Sequence, residues 1–269
     1  MSSERRPISH PLRFDRYLGI DYSGAATPES RLPGLRVYEA RASRTIELQP
    51  RDGGRHWSRR ALTDWLAGEL AGADSLLVGI DHAFSFPLRY FEEHRLEQSW
   101  TSWLADFAEH WPTNRAGITV EDVRRGRVGR GTRRSGQAQW RRHTDLLARA
   151  KSPFHFDVPG SVAKSTHAGL PLLHELRQLT PRPHFWPFDG WDPPRGSSVL
   201  AEAYPSLFSR GYPRRGRTPD QHDAYSIART LREADERGTL GDAFSPRLTQ
   251  ELRAAAEIEG WILGLPAPD

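Results

Sequence analysis

The chain has no cysteine, which removes disulfides, thiolate metal sites and thiol nucleophiles together. Lysine is almost missing as well: Lys151 and Lys164 stand alone, so arginine carries nearly all the positive charge. Guanidinium binds phosphate through a planar fork that an ammonium lacks. No apolar run approaches the roughly 20 residues that a membrane-spanning helix needs. The opening Met1-Ser2-Ser3-Glu4-Arg5-Arg6-Pro7 has no apolar stretch behind it, so no signal peptide is expected, and the expected compartment is cytoplasmic. Apolar residues are scarce at 37%, while glycine (23) and proline (21) are frequent; the expectation is a modest core among many loops. The net charge of +4 and a pI near 9.7 lean toward polyanionic partners.

What the chain does have is a repeated phrase. Tyr17-Leu18-Gly19-Ile20-Asp21-Tyr22-Ser23-Gly24 returns as Leu77-Val78-Gly79-Ile80-Asp81-His82, each an apolar strand that delivers an aspartate to its end. A third apolar run, Val199-Leu200-Ala201, meets Glu202. Thr218-Pro219-Asp220-Gln221 opens a helix with an N-cap, a proline at the first helical position and a capping box. Ala224, Ile227, Ala228 and Leu231 form its apolar stripe, and stepping back by helical spacing lands on Asp220 and Asp223. Carboxylates gathered in this way repel unless a cation sits among them, and Mg2+ or Mn2+ suits oxygen donors. Each acid alone also has a plain reading: a turn residue for Asp21, an ion-pair partner for Glu202, a dipole-favoured first-turn residue for Asp220.

The order of elements predicts an α/β fold. A strand over Arg16–Asp21 is followed by two meander strands (35–42 and 45–48), a helix from N-cap Ser58, and a strand ending at Asp81. A helical crossover of this kind makes the first and fourth strands parallel, which places Asp21 and Asp81 at the carboxyl ends where open sheets bind ligands. The chain reads as one domain, 1–269, with an insertion at about 87–170. Residues 1–15 read as polar and frayed, 171–179 as a short helix, 181–194 as an aromatic loop, and Ser245-Pro246 as the start of a last helix. The insertion, read as partly helical, carries Arg124, Arg125, Arg127, Arg130, Arg133, Arg134, Arg141 and Arg142 with interspersed glycines; its first half reads as a flexible basic loop that contacts phosphates and only its end as helical.

The phrases Gly19-Ile20-Asp21, Gly79-Ile80-Asp81-His82-Ala83-Phe84-Ser85-Phe86-Pro87, Ala201-Glu202-Ala203-Tyr204-Pro205, Asp220-Gln221-His222-Asp223-Ala224 and Glu257-Ile258-Glu259-Gly260-Trp261 together resemble the family labelled domain of unknown function 429. Its members are predicted nucleases of the ribonuclease H-like fold, and the Asp-x-x-Asp on the late helix also resembles the Holliday-junction resolvase branch of that fold. The resemblance implies a five-stranded mixed sheet with helices on both faces. It also implies metal-ligand and catalytic roles for Asp21, Asp81, Glu202 and Asp223, with Asp220 as a further ligand.

The function expected on these grounds is metal-dependent nuclease action on DNA or RNA by a two-metal mechanism. Arg214, Arg215 and Arg217 stand just before the acidic helix as further phosphate contacts or carboxylate partners. Phe185, Trp186, Phe188 and Trp191 are candidates for stacking on unpaired bases, and His82 and His222 for orienting water. Two alternatives stay open. One is a nucleic-acid-binding protein whose site has degenerated. The other is an actin-like phosphotransferase, since Gly19-Ile20-Asp21-Tyr22-Ser23-Gly24 resembles that superfamily's first phosphate loop, although the second glycine-rich loop it requires is missing.

Overall fold

The centre of the sheet is the pair of strands that carry the repeated phrase. In the structure, a computed structural model describing residues 11–42 and 44–268, β1 (Arg16–Asp21) and β4 (Leu76–Asp81) are parallel and pair Gly19 with Gly79 and Asp21 with Asp81. β2 (Arg36–Arg41) and β3 (Arg44–Glu47) extend the sheet antiparallel on the β1 side. β5 (His184–Trp186) and β6 (Val199–Glu202) extend it on the other side, parallel to β4. The order is β3-β2-β1-β4-β6-β5. The fold class is therefore α/β, with a mixed sheet of six strands where five were expected. The added edge is β5, whose three residues lie between prolines in the stretch read as an aromatic loop.

The helices are α1 (Arg59–Leu70), α2 (Leu88–Glu93), α3 (Trp100–His110), α4 (Val120–Arg124), α5 (His143–Leu147), α6 (Ala163–Arg177), α7 (Pro219–Glu236), α8 (Leu240–Phe244) and α9 (Gln250–Glu259). Strand side chains alternate between two cores, as the pleat demands. Leu18, Ile20, Leu76, Val78 and Ile80 join α1, α3 and α6 on one face. Tyr17, Leu77, Val199 and Ala201 join α7 and α8 on the other.

The glycines of the repeated phrase set the depth of that second layer. A Cβ on Gly19 would sit 2.5 Å from the backbone nitrogen of Ala228, and one on Gly79 would sit 2.5 Å from Ile227 Cγ2. α7 can therefore lie against β1 and β4 only because both positions lack a side chain.

The stretch 87–170, expected as an insertion, builds a large part of the core. Tyr90, Phe91, Trp100, Trp103, Leu104, Phe107, Trp111, Val120, Val123 and Phe154 are buried in the same core as Leu18 and Ile20. The helix expected at 171–179 begins instead at Ala163 and carries Pro171 inside it. A proline there deprives the carbonyl of His167 of its helical donor, and the Thr113 hydroxyl supplies a replacement at 2.7 Å. The last helix starts after N-cap Thr249, not at Ser245. Residues 11–15 are anchored, since Asp235 accepts from the Arg13 and Phe14 amides and from the Tyr17 hydroxyl. Residues 1–10, read as frayed, lie outside the described residues.

Candidate metal centre

Asp21 and Asp81 face each other across adjacent parallel strands, whose spacing is about 4.8 Å. Each lies two residues after a glycine that touches α7, so each projects toward the α7 face. The first turn of α7 brings Asp220 and Asp223 to the same end of the sheet. Thr218 caps that turn through the amide of Gln221, and Gln221 returns the bond to the Thr218 amide. The turn is also tied to β3, because Gln221 donates to Glu47 at 2.7 Å. A Cβ on Gly34 would stand 3.6 Å from a carboxylate oxygen of Asp220. The loop after Asp21 is fixed from below by buried Arg59, which donates to the carbonyls of Ser23, Ala25 and Ala26 at 3.3, 2.6 and 3.1 Å.

Asp21, Asp81 and Asp223 sense the charge of neighbouring carboxylates. Burial pushes Asp21 well above the ordinary carboxylate range, and the charges of Asp81, Asp220 and Asp223 push the same way, with Arg36 opposing. Asp81 is pushed up to about 8 by burial, then by Asp223 and Glu202. Asp223 is raised by burial and by Asp220, with His222 and Arg214 opposing. Among the described residues none of the four carboxylates forms an ion pair. The donor set is of the chemical type a hard divalent cation takes: oxygen ligands alone, half-buried, with Arg36 and Arg214 near enough to be felt but not paired with them. As placed, no three His, Asp or Glu side chains among the described residues are close enough together to hold a metal ion.

Glu202 is not part of this group. Register pairs it with Ile80, one residue out of phase with Asp81, so it leaves the sheet on the opposite face. There Arg142 takes both its oxygens, at 2.6 Å each, and also grips Asp145 at 2.7 Å. The Phe84 amide adds a bond at 3.2 Å. Arg142, 1% exposed, and Glu202, 5% exposed, form a buried charge pair. Burial still raises the Glu202 pKa against the pull of Arg142. The ligand role expected of Glu202 is thus taken over by a structural one.

The basic segment is ordered by acids from outside it, where a flexible first half was expected. Thr119 and Asp122 form a capping box on α4. Arg124 pairs with Asp157 and Glu121, Arg125 with Glu121, Arg127 with Asp122, Arg130 with Glu109, and Arg134 with both oxygens of Asp106. Among the described residues Arg133, Arg214, Arg215 and Arg217 make no ion pair. Arg214 and Arg217 donate to backbone carbonyls of their own turn, and Arg217 lies 3.4 Å over the Tyr225 ring.

The aromatic stacking candidates are spent on the core. Phe185 and Trp186 are fully buried, Trp191 is 9% exposed, and Phe188 stacks on Trp100 with centroids 3.9 Å apart. His82 is also a core residue. Its ring packs on Gly169 and Tyr22, Nδ1 bonds the Ala83 carbonyl at 2.9 Å, and burial lowers its pKa to about 4. His222 bonds the Ser209 carbonyl at 3.0 Å.

Sequence reasoning missed Arg59 and the Arg142–Asp145–Glu202 triad. The one signal for the triad was Arg142 three residues before Asp145, submerged among its neighbouring arginines. Compared with family models, with curated proteins and with solved structures, the chain matches none.

Proposed function

We infer that the protein hydrolyses phosphodiester bonds of DNA or RNA with divalent cations, Mg2+ or Mn2+, held by Asp21, Asp81 and Asp223, with Asp220 beside them. The observation that carries this reading is the convergence of four unpaired aspartates from two strand ends and one helix start. Burial and the charges of neighbouring acids raise the cost of ionising Asp21, Asp81 and Asp223, and a bound divalent cation would offset both. Such a cation supplies Lewis acidity toward the phosphodiester and a nucleophilic water at neutral pH. Asp21, flanked by Asp81 on one strand and facing α7 on the other side, is the residue best placed to share its two oxygens. Arg214, Arg215 and Arg217, unpaired and adjoining the helix that carries Asp223, hold the phosphate backbone against the site. An antiparallel hairpin at one edge of a sheet whose other four strands run parallel, packed against a late helix bearing acids, supports the ribonuclease H-like reading. Fold likeness alone does not give the activity.

The test is cleavage of labelled single- and double-stranded oligonucleotides with Mg2+, Mn2+ or EDTA. Cleavage that needs the cation and disappears in Asp21→Asn is the expected result; cation-independent cleavage, or an unimpaired variant, overturns it. One observation favours a second reading. The acids do not close to ligating distance as placed, which suits a nucleic-acid-binding protein with a degenerate site. That reading expects oligonucleotide binding unchanged by Mn2+ and by Asp223→Ala.

A further inference from the structure

Asp81 also lines a cavity of about 170 Å3 beyond the ends of β4 and β6. Its floor is solid protein: Arg142, Asp145, Glu202 and Ile262 are each 5% exposed or less. A strand cannot run through such a recess, so only an end enters it. Its volume is close to the roughly 150 Å3 of a cavity that admits benzene, enough for a phosphate and part of a sugar but not for a whole nucleotide.

The rim carries Arg149 and Lys151, both exposed. The acids facing the cavity are Asp81, Asp145 and Glu202. Arg142 answers the latter two, and Asp81 belongs to the aspartate group. Among the described residues Arg149 and Lys151 have no carboxylate partner. Lys151 Nζ reaches across to the Pro159 carbonyl, which holds it at the rim.

Arg149 is held there at a cost to the backbone. α5 ends in a Schellman turn, with the Arg149 amide on the Leu146 carbonyl at 3.2 Å and the Ala150 amide on the Asp145 carbonyl at 2.8 Å. Arg149 occupies the position that glycine ordinarily takes, with φ of 53°. The turn gives no reason for a guanidinium in that strained place.

We propose that this cavity binds the terminal phosphomonoester of a nucleic-acid strand between Arg149 and Lys151, so that the neighbouring aspartates act at strand ends. A monoester carries a charge of about −1.5 to −2, which matches two uncompensated cations better than the single charge of an internal diester. The catalytic consequence rests on the hydrolase reading; the phosphate pocket itself does not.

The experiment is calorimetric titration, without divalent cation, of a 5′-phosphorylated, a 3′-phosphorylated and an unphosphorylated hexanucleotide. One phosphorylated form is expected to bind about tenfold or more tighter than the unphosphorylated one, through two charge-assisted contacts, and the better of the two names the end. The preference should survive Asp21→Asn and vanish in Arg149→Gly and in Lys151→Gln. Glycine suits the backbone at 149, so Arg149→Gly folds at least as well as the parent. Equal binding of all three oligonucleotides, or a preference that survives both substitutions, overturns the proposal. Phosphate preference with no cleavage under any metal condition would sink the hydrolase and leave the pocket. Cleavage without phosphate preference would do the reverse.

Discussion

Asp81→Asn should stabilise the metal-free protein at alkaline pH, against the usual effect of altering a half-buried polar residue. The folded-state pKa of Asp81 is raised from 3.8 to about 8 by burial and by Asp223 and Glu202. Between those pH values the folded state holds a proton that the unfolded chain has released, so stability falls as pH rises from about 4 to about 8. Each pKa unit is worth about 1.4 kcal/mol. The full shift would approach about 6 kcal/mol, and the solvent that still reaches the carboxyl reduces this to on the order of 2–3 kcal/mol. Asparagine cannot ionise and escapes the loss. In EDTA at pH 8 the variant should melt about 4–6 °C above the parent, given about 2 °C per kcal/mol for a chain of this size; at pH 5 the gap should shrink. Millimolar Mn2+ should reverse the order, because ligand binding stabilises only the protein that binds it. Thermal melts at the two pH values, with EDTA and with Mn2+, make the comparison. A variant less stable than the parent at pH 8 in EDTA would refute the claim that these acids repel one another.

Gly19→Ala drives a methyl group into the backbone of α7 at Ala224 and Ala228, and a loss of about 3 kcal/mol or more in urea denaturation is expected. Arg142→Met strands Glu202 and Asp145 in the core and should cost about 3–5 kcal/mol, measured the same way. Phe188→Ala removes the ring stacked on Trp100; about 3 kcal/mol of stability should go, with oligonucleotide affinity unchanged in a filter-binding assay.

The parts legible in the sequence were those fixed by local chemistry. Ser58 and Thr218 cap their helices as their neighbours predict, and the strand-end aspartates follow from apolar runs of strand length. Gly19 and Gly79 were visible as glycines, but their purpose, the close seat of α7, appears only when Ala228 and Ile227 are placed against them. Pro171 misled because the donor that excuses it, Thr113, lies 54 residues away from His167 in the chain. Glu202 misled for a similar reason: strand register decides which face a side chain leaves from, and a shift of one residue exchanges a site for a core. The arginines of the basic segment seemed uncompensated because their partners, Asp106, Glu109 and Asp157, lie outside the segment itself. The aromatic loop hid a strand because its prolines flank the three paired residues without interrupting them.

The central claim is that Asp21, Asp81 and Asp223 converge to hold a divalent ion. Calorimetric titration of Mn2+ into EDTA-stripped protein at pH 8 tests it most directly. Saturable binding that is lost in both Asp21→Asn and Asp223→Asn, with protons released on binding, is the predicted result. No binding heat, or binding that persists undiminished in both variants, would contradict it.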